Sequence, residues 1–303
     1  ALESALIDGP EALFCRGVQV VRIIGLEAAT VRAVKRDDQA IGIIPVTETW
    51  LAQYLSRIAT WVKDDARSAL GYRVVDCPVE VARAYLSRVG GWRLPPLIAV
   101  VETPTIRPDG TILEAPGYDA ETGLYLDLGG ITFPAVPPAP TRADALAALA
   151  AIREPLERFP FKDPHDESVS LAASLTAIVR RSLKSAPLFV FNAPRMGSGK
   201  SLLATVSGLI ATGRMPTLIG MAQKKEEEEK VLSSLLIGGD SVVNIDNVDR
   251  AFESSLLCSI LTEESTTCRV LGSSRTVTSP TCVTWLLTGN NVVLEGDITT
   301  RAL

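Results

Sequence analysis

The chain has 303 residues, of which 47% are hydrophobic and 21% are charged, a composition typical of a globular protein with room for two cores of ordinary domain size. This composition excludes a disordered or collagen-like chain, and no apolar run approaches the roughly 20 residues that a membrane helix needs, so we expect no membrane partner. The net charge of −5, from 30 basic and 35 acidic residues, argues against a broadly basic surface that coats nucleic acid.

Residues 1–132 mix strand and helix signals and are expected to form a smaller α+β domain. Phe14–Ile24 and Ile41–Val46 are rich in β-forming residues. Apolar residues from Trp50 to Val62 recur at spacings of three and four, which predicts one helix, and Val79–Val89 predicts another. Nothing in this half points to a particular chemistry, and we assign it no function.

A proline-rich run at residues 133–141, F-P-A-V-P-P-A-P-T, suits neither a helix nor a central strand and predicts a linker between domains. Two helices are expected after it, one capped by Thr141 and Asp144 and one at Asp166–Leu183. From there, runs that are apolar on both faces alternate with helices, which indicates a buried parallel sheet in an α/β domain over residues 142–303. The predicted strands are Leu188–Asn192, Thr217–Gly220, Val242–Asp246 and Cys282–Thr288.

The most specific motif follows the first of these strands directly. It lies before an apolar helix-forming run and reads Ala193-Pro194-Arg195-Met196-Gly197-Ser198-Gly199-Lys200-Ser201. A strand, a glycine-rich turn and a helix are the context of a phosphate-binding loop, so residues 194–201 are the expected ATP contacts. Lys200 would supply charge to the β- and γ-phosphates and Ser201 a hydroxyl to Mg²⁺. Pro194 stands where the usual pattern has its first glycine.

A buried strand that ends in a carboxylate comes next. Asp246 is expected to hold Mg²⁺ through water, as the second metal-binding element of a P-loop ATPase. Many such enzymes place a glutamate directly after this aspartate to polarise the attacking water, and here that residue is Asn247. Either Asp249 or a neighbouring acid replaces the glutamate, or hydrolysis is slow.

Two further side chains follow in the order expected behind a phosphate-binding loop. Asn290, in the turn Thr288-Gly289-Asn290-Asn291, would lie beside the γ-phosphate if its strand lies between the other two. Arg301 is expected to stabilise γ-phosphate charge in the adjoining subunit of a ring. The predicted catalytic residues are Lys200, Asp246, Asn247, Asn290 and Arg301.

With these residues in place, the sequence from about Phe159 to Leu303 resembles the ATPase module of the superfamily 3 and AAA+ class. It looks most like the helicase part of phage, plasmid and prophage primase-helicases and their poxvirus relatives. The resemblance rests on the helix at Asp166–Leu183, the A-P-x-x-G-S-G-K-S loop, the I-D-N strand end, the R-V-L-G-S-S-R-T-V segment and the T-G-N-N turn before Arg301. It implies a P-loop, AAA+-like ATPase domain that forms a homo-oligomeric, hexameric ring, hydrolyses ATP with Mg²⁺ between subunits and moves along single-stranded DNA.

The segment Arg269–Val277 predicts a hairpin with Gly and Ser at its tip. In similar helicases a hairpin here projects into the pore, which makes Arg275 and Arg269 candidate contacts to DNA phosphates. The alternative is an arginine on a surface turn. The charged run Lys224–Lys230 is interpreted as a solvated helix face without a catalytic role.

The favoured function is therefore the ATP-dependent helicase motor of a phage or mobile-element DNA replication protein. One alternative is an AAA+ loader or remodeller that acts on a protein client. The other is a non-hydrolysing replication-initiator assembly module that uses ATP as structural glue, for which Asn247 is the argument. The presence of a primase domain or partner stays open, and we expect the small helical lid of such modules to be absent from this sequence.

The remaining sequence features concern location and metal chemistry. The chain begins Ala1-Leu2-Glu3 without Met or a basic-then-apolar leader, so we expect a fragment of a longer, cytoplasmic protein. With His165 as the only histidine, a zinc site lacks ligands, and His165 is expected in a loop before a helix. No pair of cysteines forms a C-x-x-C motif, and we expect all of them to be reduced core residues. They are Cys15, Cys77, Cys258, Cys268 and Cys282.

Overall fold

The computed structural model describes residues 2–27, 29–31, 34–269 and 276–303. The chain forms two compact units, one made of Ala1–Ile24 with Gly42–Ile98 and the other of Gly25–Ile41 with Ala99–Leu303. The proline-rich segment at residues 133–141 is in neither helix nor strand and lies inside the second unit. The contacts therefore divide the chain at other places than the linker predicted from composition.

Helices and strands are numbered in chain order. The helices are α1 (Leu2–Ile7), α2 (Glu48–Ile58), α3 (Val79–Leu86), α4 (Arg142–Arg153), α5 (Pro164–Val179), α6 (Lys200–Thr212), α7 (Lys225–Gly238) and α8 (Ser255–Thr262). The strands of the first half are β1 (Leu13–Arg16), β2 (Gln19–Leu26), β3 (Ala29–Val31), β4 (Val34–Arg36), β5 (Ala40–Pro45), β6 (Trp61–Asp64), β7 (Tyr72–Val75), β8 (Ala99–Val101), β9 (Thr105–Ile106), β10 (Ile112–Leu113), β11 (Gly117–Asp119) and β12 (Leu124–Leu126). Those of the second half are β13 (Phe189–Ala193), β14 (Thr217–Gly220), β15 (Val242–Val248), β16 (Ser265–Arg269), β17 (Thr276–Pro280) and β18 (Thr284–Asn290).

The first unit differs from the sequence prediction in where its second helix ends. α2 is capped by Thr47, whose side chain accepts from Trp50 N, and it stops at Ile58 because Ala59 is extended. Trp61 lies in β6, which pairs antiparallel with β7. The Trp61 indole nevertheless donates to Leu55 O at 3.0 Å, so it folds back onto the helix. This contact explains why its spacing resembles a continuation of the helical face.

The predicted strand Phe14–Ile24 is also two strands. β1 and β2 form an antiparallel hairpin, and β5 pairs with β2 as the third strand of this sheet. Gly17 allows the tight turn between them because its φ is 56°, a left-handed conformation that favours glycine.

The second unit contains a six-stranded sheet of order β13-β18-β15-β14-β4-β3. The first four strands are parallel, and β4 and β3 add to their edge in antiparallel fashion. The prediction of a mixed α/β chain with a parallel sheet is therefore confirmed, and all four predicted strands lie in it. Its edge hairpin, β3–β4, comes from the part of the chain that the sequence assigned to the first domain.

Both faces of the parallel sheet are covered, as continuous apolar strands require. Leu286 packs in a cluster with Ala173 of α5 and Ala204 of α6. Its neighbours on β18, Trp285 and Leu287, belong to the opposite cluster, which includes the buried leucines of α7 and α8. The alternation along β18 thus divides the helices into two layers.

Two helix starts follow local capping chemistry. Thr141 and Asp144 form a capping box at the start of α4, as predicted. Asp163 caps α5 and accepts from the backbone N–H groups of His165 and Asp166. His165 is therefore in the first turn of α5, and its prediction as a loop residue is wrong because Pro164 already occupies the first helical position.

Two further features concern the cysteines and the lengths of the helices. The five cysteines form no disulfide, and all except the half-buried Cys15 are buried. In the described part of the chain, no helix has the length and apolar character needed to cross a bilayer.

A half-buried ion pair between Arg107, which follows β9, and Asp119, the last residue of β11, yields a pH prediction. The Arg107 guanidinium donates to both carboxylate oxygens of Asp119, at 3.0 and 3.1 Å, and lowers the pKa of Asp119 from 3.8 to about 2. Because the folded pKa is depressed, this stabilisation is present above pH 3.8 and is lost as the pH falls towards 2. We expect Asp119→Asn to lower the free energy of unfolding by about 1–2 kcal/mol near pH 7.

Urea unfolding at pH 7 and pH 3 measures this effect. The difference between wild type and Asp119→Asn should shrink at the lower pH, since at pH 3 the Asp119 carboxyl binds a proton more readily in the unfolded chain than in the folded protein. A difference that stays constant between the two pH values would contradict the assignment of the low pKa to this pair.

Candidate functional site

The glycine-rich loop between β13 and α6 depends on two left-handed residues. Gly197 has a φ of 73° and Gly199 a φ of 88°, conformations in which a side chain is strained. A Cβ on Gly199 would also lie 2.9 Å from Cε1 of Phe159. Gly199 is the N-cap of α6 and provides no side-chain acceptor, so the first N–H groups of α6 have no side-chain cap. Such a helix start is suited to an anion.

Lys200, the first residue of α6, connects this loop to the end of β18. Its ammonium group donates to Asn290 Oδ1 at 2.8 Å, Ser198 Oγ at 3.1 Å and the carbonyl oxygen of Arg195 at 3.1 Å. β18 lies between β13 and β15, the strand order on which the predicted position of Asn290 depended. The sheet therefore brings the loop lysine and the carboxamide together.

Asp246 lies at the same edge of the sheet, next to the loop. Its Oδ1 accepts a hydrogen bond from Ser201 Oγ at 3.3 Å and another from Thr288 Oγ1 at 2.5 Å. The carboxylate is half-buried, whereas Ser201 is exposed. Four of the side chains singled out in the sequence, Lys200, Ser201, Asp246 and Asn290, are thus linked by the loop and the ends of β15 and β18.

Sequence reasoning missed two polar residues beneath this edge. Thr288 is buried, and it accepts a hydrogen bond at 3.3 Å from Nδ2 of Asn244, which is fully buried. Both interrupt otherwise apolar strands, V-V-N-I-D and W-L-L-T-G-N. Buried polar groups need hydrogen-bond partners, so their positions in the sequence carried the signal.

Asn247, expected near the attacking water, has a conformational role in β15. It has a φ of 57° and lies where the register between β15 and β18 shifts, between Ile245 and Val248. Asparagine tolerates this left-handed conformation better than glutamate does. Both Asn247 and Asp249 are exposed. A backbone bulge therefore accounts for the residue type at this position.

Arg301 lies at the other end of β13. Its Nη1 donates to the carbonyl oxygen of Asp297 at 2.9 Å, and its own carbonyl oxygen accepts from Leu188 N at 2.8 Å. From Leu188 to Ala193, where the loop begins, β13 rises by about 16 Å. Arg301 is consequently not brought to Lys200 of its own chain.

The predicted DNA-contacting segment is described only in part. β16 and β17 pair as an antiparallel hairpin in which Arg269 is opposite Thr276. Arg269 is exposed. Arg275, the other predicted contact, lies outside the described residues. At the glycine-rich loop, Pro194, Arg195 and Met196 are exposed.

The fold and this site define a mixed α/β protein whose mainly parallel sheet gathers a loop lysine, a serine, an aspartate and an asparagine at one edge. No protein-family model and no curated protein matches the chain. Among solved structures it is similar to one described as "SCCmec type IV Cch - active helicase", with a TM-score of 0.35 and 14% identity. That similarity covers 94% of this chain and 53% of the other, so the chain spans about half the length of that protein.

Proposed function

We propose that the loop binds ATP with Mg²⁺ and that the protein is the ATP-dependent motor of a DNA helicase. One observation carries the proposal: the first two residues of α6, directly after the loop, contact the ends of two other parallel strands. Lys200 bonds Asn290 at 2.8 Å, and Ser201 bonds Asp246 at 3.3 Å. Ligands of open α/β sheets bind at the carboxyl ends of strands, where these residues lie.

The residues present fit a nucleotide with its metal. The uncapped start of α6 and the Lys200 ammonium offer donors and positive charge to phosphate oxygens. The Ser201 hydroxyl and the Asp246 carboxylate are neighbouring oxygen ligands of the kind that Mg²⁺ prefers, directly or through water. When bound, the metal would neutralise charge on the phosphates.

The chain's own groups then have separate tasks. Lys200 gives up its bond to the Arg195 carbonyl oxygen or to Ser198 when it turns to the phosphates. Asn290 accepts from Lys200 through Oδ1, which leaves its NH₂ group to donate to a phosphate oxygen. Arg301 cannot span the length of β13 to its own loop, so we assign it to the site of an adjoining subunit in a homo-oligomeric, hexameric ring.

The DNA part of the proposal depends on the β16–β17 hairpin and the sequence resemblance. Because the net charge is −5, the positive charge that contacts DNA has to be confined to one part of the surface. A ring that repeats one exposed Arg269 per subunit would concentrate positive charge in its channel. A phage or mobile-element replication protein is the setting that the resemblance suggests.

One observation favours a second candidate, the non-hydrolysing assembly module. Asn247 shapes the bulge in β15 and provides no carboxylate at the position where a water-polarising acid is expected. In that case ATP would strengthen oligomers without turnover.

Steady-state ATP hydrolysis with and without single-stranded DNA tests these proposals. A helicase motor should show turnover that DNA stimulates several-fold and that Lys200→Ala removes. Turnover indifferent to DNA would instead favour a remodeller of protein clients. Tight ATP binding without turnover would favour the assembly module, and a wild-type protein that does not bind ATP would contradict the nucleotide site itself.

A further inference from the structure

A buried chain of hydrogen bonds reaches the Asp246 carboxylate from inside the sheet. Asn244 Nδ2 donates to Thr288 Oγ1, and Thr288 Oγ1 donates to Asp246 Oδ1 at 2.5 Å. Asn244 and Thr288 are both almost entirely inaccessible to solvent. Because both side chains are buried, any effect on a ligand bound at the loop would pass through the bond from Thr288 to Asp246.

The direction of this chain is fixed by chemistry. The Asn244 NH₂ group can only donate, so Thr288 must accept from it and is left with one proton to give. That proton goes to Asp246 Oδ1. A hydroxyl oriented in this way holds the Asp246 side chain in one rotamer.

The burial of the Asn244 amide destabilises the folded protein, and core packing alone does not explain why an amide is present there. Asn244 Oδ1 is buried without a hydrogen-bond partner in the described structure, and such a group destabilises the folded state. An apolar residue of similar size would avoid this cost in the interior of β15. The hydrogen bond that the amide donates to Thr288 gives a reason for its presence at this position.

On the basis of the proposed function, we infer that Thr288, oriented by Asn244, is a positioning residue. It holds the Asp246 carboxylate in place to bind Mg²⁺. Thr288 and Ser201 both donate to Oδ1 of Asp246, so the carboxylate is anchored through one oxygen, which would leave Oδ2 for a metal ion. Loss of the Thr288 hydroxyl frees the carboxylate to rotate. A protein without this hydroxyl should therefore require more Mg²⁺, whereas its affinity for the nucleotide without the metal should change little.

The test is Thr288→Val, which keeps the shape and removes the hydroxyl. Equilibrium binding of a fluorescent ATP analogue with a methylanthraniloyl ribose is measured in EDTA and across a Mg²⁺ titration. We expect unchanged affinity in EDTA and a half-saturating Mg²⁺ concentration raised about tenfold, the lower end for loss of a group that orients a metal ligand. Thr288→Ser should restore the wild-type value because it keeps the donor.

The same strand offers a matched control. Thr284 is fully buried on β18, and its hydroxyl has no hydrogen-bond partner in the described structure. Thr284→Val is thus the same change at similar burial, without a link to Asp246, and should leave the Mg²⁺ titration unchanged. If Thr288→Val does not fold, Asn244→Leu should raise the Mg²⁺ requirement in the same direction by a smaller factor.

The outcomes separate the two proposals. Equal Mg²⁺ titrations for Thr288→Val and Thr284→Val, with a wild type that binds Mg²⁺ and ATP, would overturn the role of Thr288 alone. Failure of Thr288→Ser to restore binding would also overturn it. A wild type that binds no nucleotide would overturn the proposed function, and the inference with it, before any variant is compared.

Discussion

Replacing Lys200 by alanine should abolish ATP binding at micromolar nucleotide and, with it, turnover. The ammonium already bonds three acceptors around the loop, and one of them is Asn290 at 2.8 Å. Loss of charge-assisted bonds to two phosphates should weaken affinity by at least about 100-fold. Isothermal titration with ATP and Mg²⁺ measures the change.

Lys184→Ala is the matched control for this variant. Lys184 lies before the amino end of β13, the strand that leads into the glycine-rich loop. Its side chain is 88% exposed and forms an ion pair with Glu264 at 3.7 Å. Removal of this lysine changes the net charge equally and should leave ATP affinity unchanged. Equal affinities for both variants and the wild type would reject the loop as the nucleotide site.

The sequence predicted the parallel sheet well because its strands are buried on both faces. Val242–Asp246 and Cys282–Thr288 are mostly apolar on both strand faces, a pattern that depends on burial and hardly on distant partners. The same holds for the loop, where glycine and lysine in one short segment specify local geometry. The meeting of Lys200 with Asn290 needed the strand order, which no single segment contains.

Other elements depend on contacts that a local pattern does not show. Residues 25–41 read as part of the first domain, yet β4 pairs with β14 in the second unit. Arg36 fixes this position through two hydrogen bonds to Asp240, at 2.7 and 2.9 Å. The partners are separated by about two hundred residues, so neither periodicity nor composition could reveal them.

The polar residues in β15 and β18 carried information about the site that the sequence prediction did not use. Asn244 and Thr288 each stand alone in an apolar run, and each needed a partner in the interior. Their pairing could not be assigned without the register, in which Asn244 lies opposite Leu286, two residues before Thr288. Asn247 shows the reverse case: a missing acid suggested altered chemistry, and the structure gives its residue type a conformational reason.

Arg301→Ala should reduce the rate of ATP turnover roughly 1,000-fold, while the affinity for nucleotide stays near that of the wild type. We expect this difference because an arginine supplied by a neighbour acts mostly on the transition state. The geometry keeps Arg301 away from Lys200 of its own chain. Arg301 is held at the amino end of β13, whereas Lys200 follows its carboxyl end. ATP affinity and steady-state turnover, measured on the same preparation, separate the two effects.

Mixing two inactive variants gives the sharper test of this arrangement. A subunit with Arg301→Ala keeps its loop, and a subunit with Lys200→Ala keeps its arginine. If each site uses a neighbour's Arg301, mixed assemblies contain some complete sites and should regain part of the wild-type turnover, although each variant alone is inactive. If Arg301 acted within its own chain, no mixture could contain a complete site, and turnover would stay at the level of the separate variants.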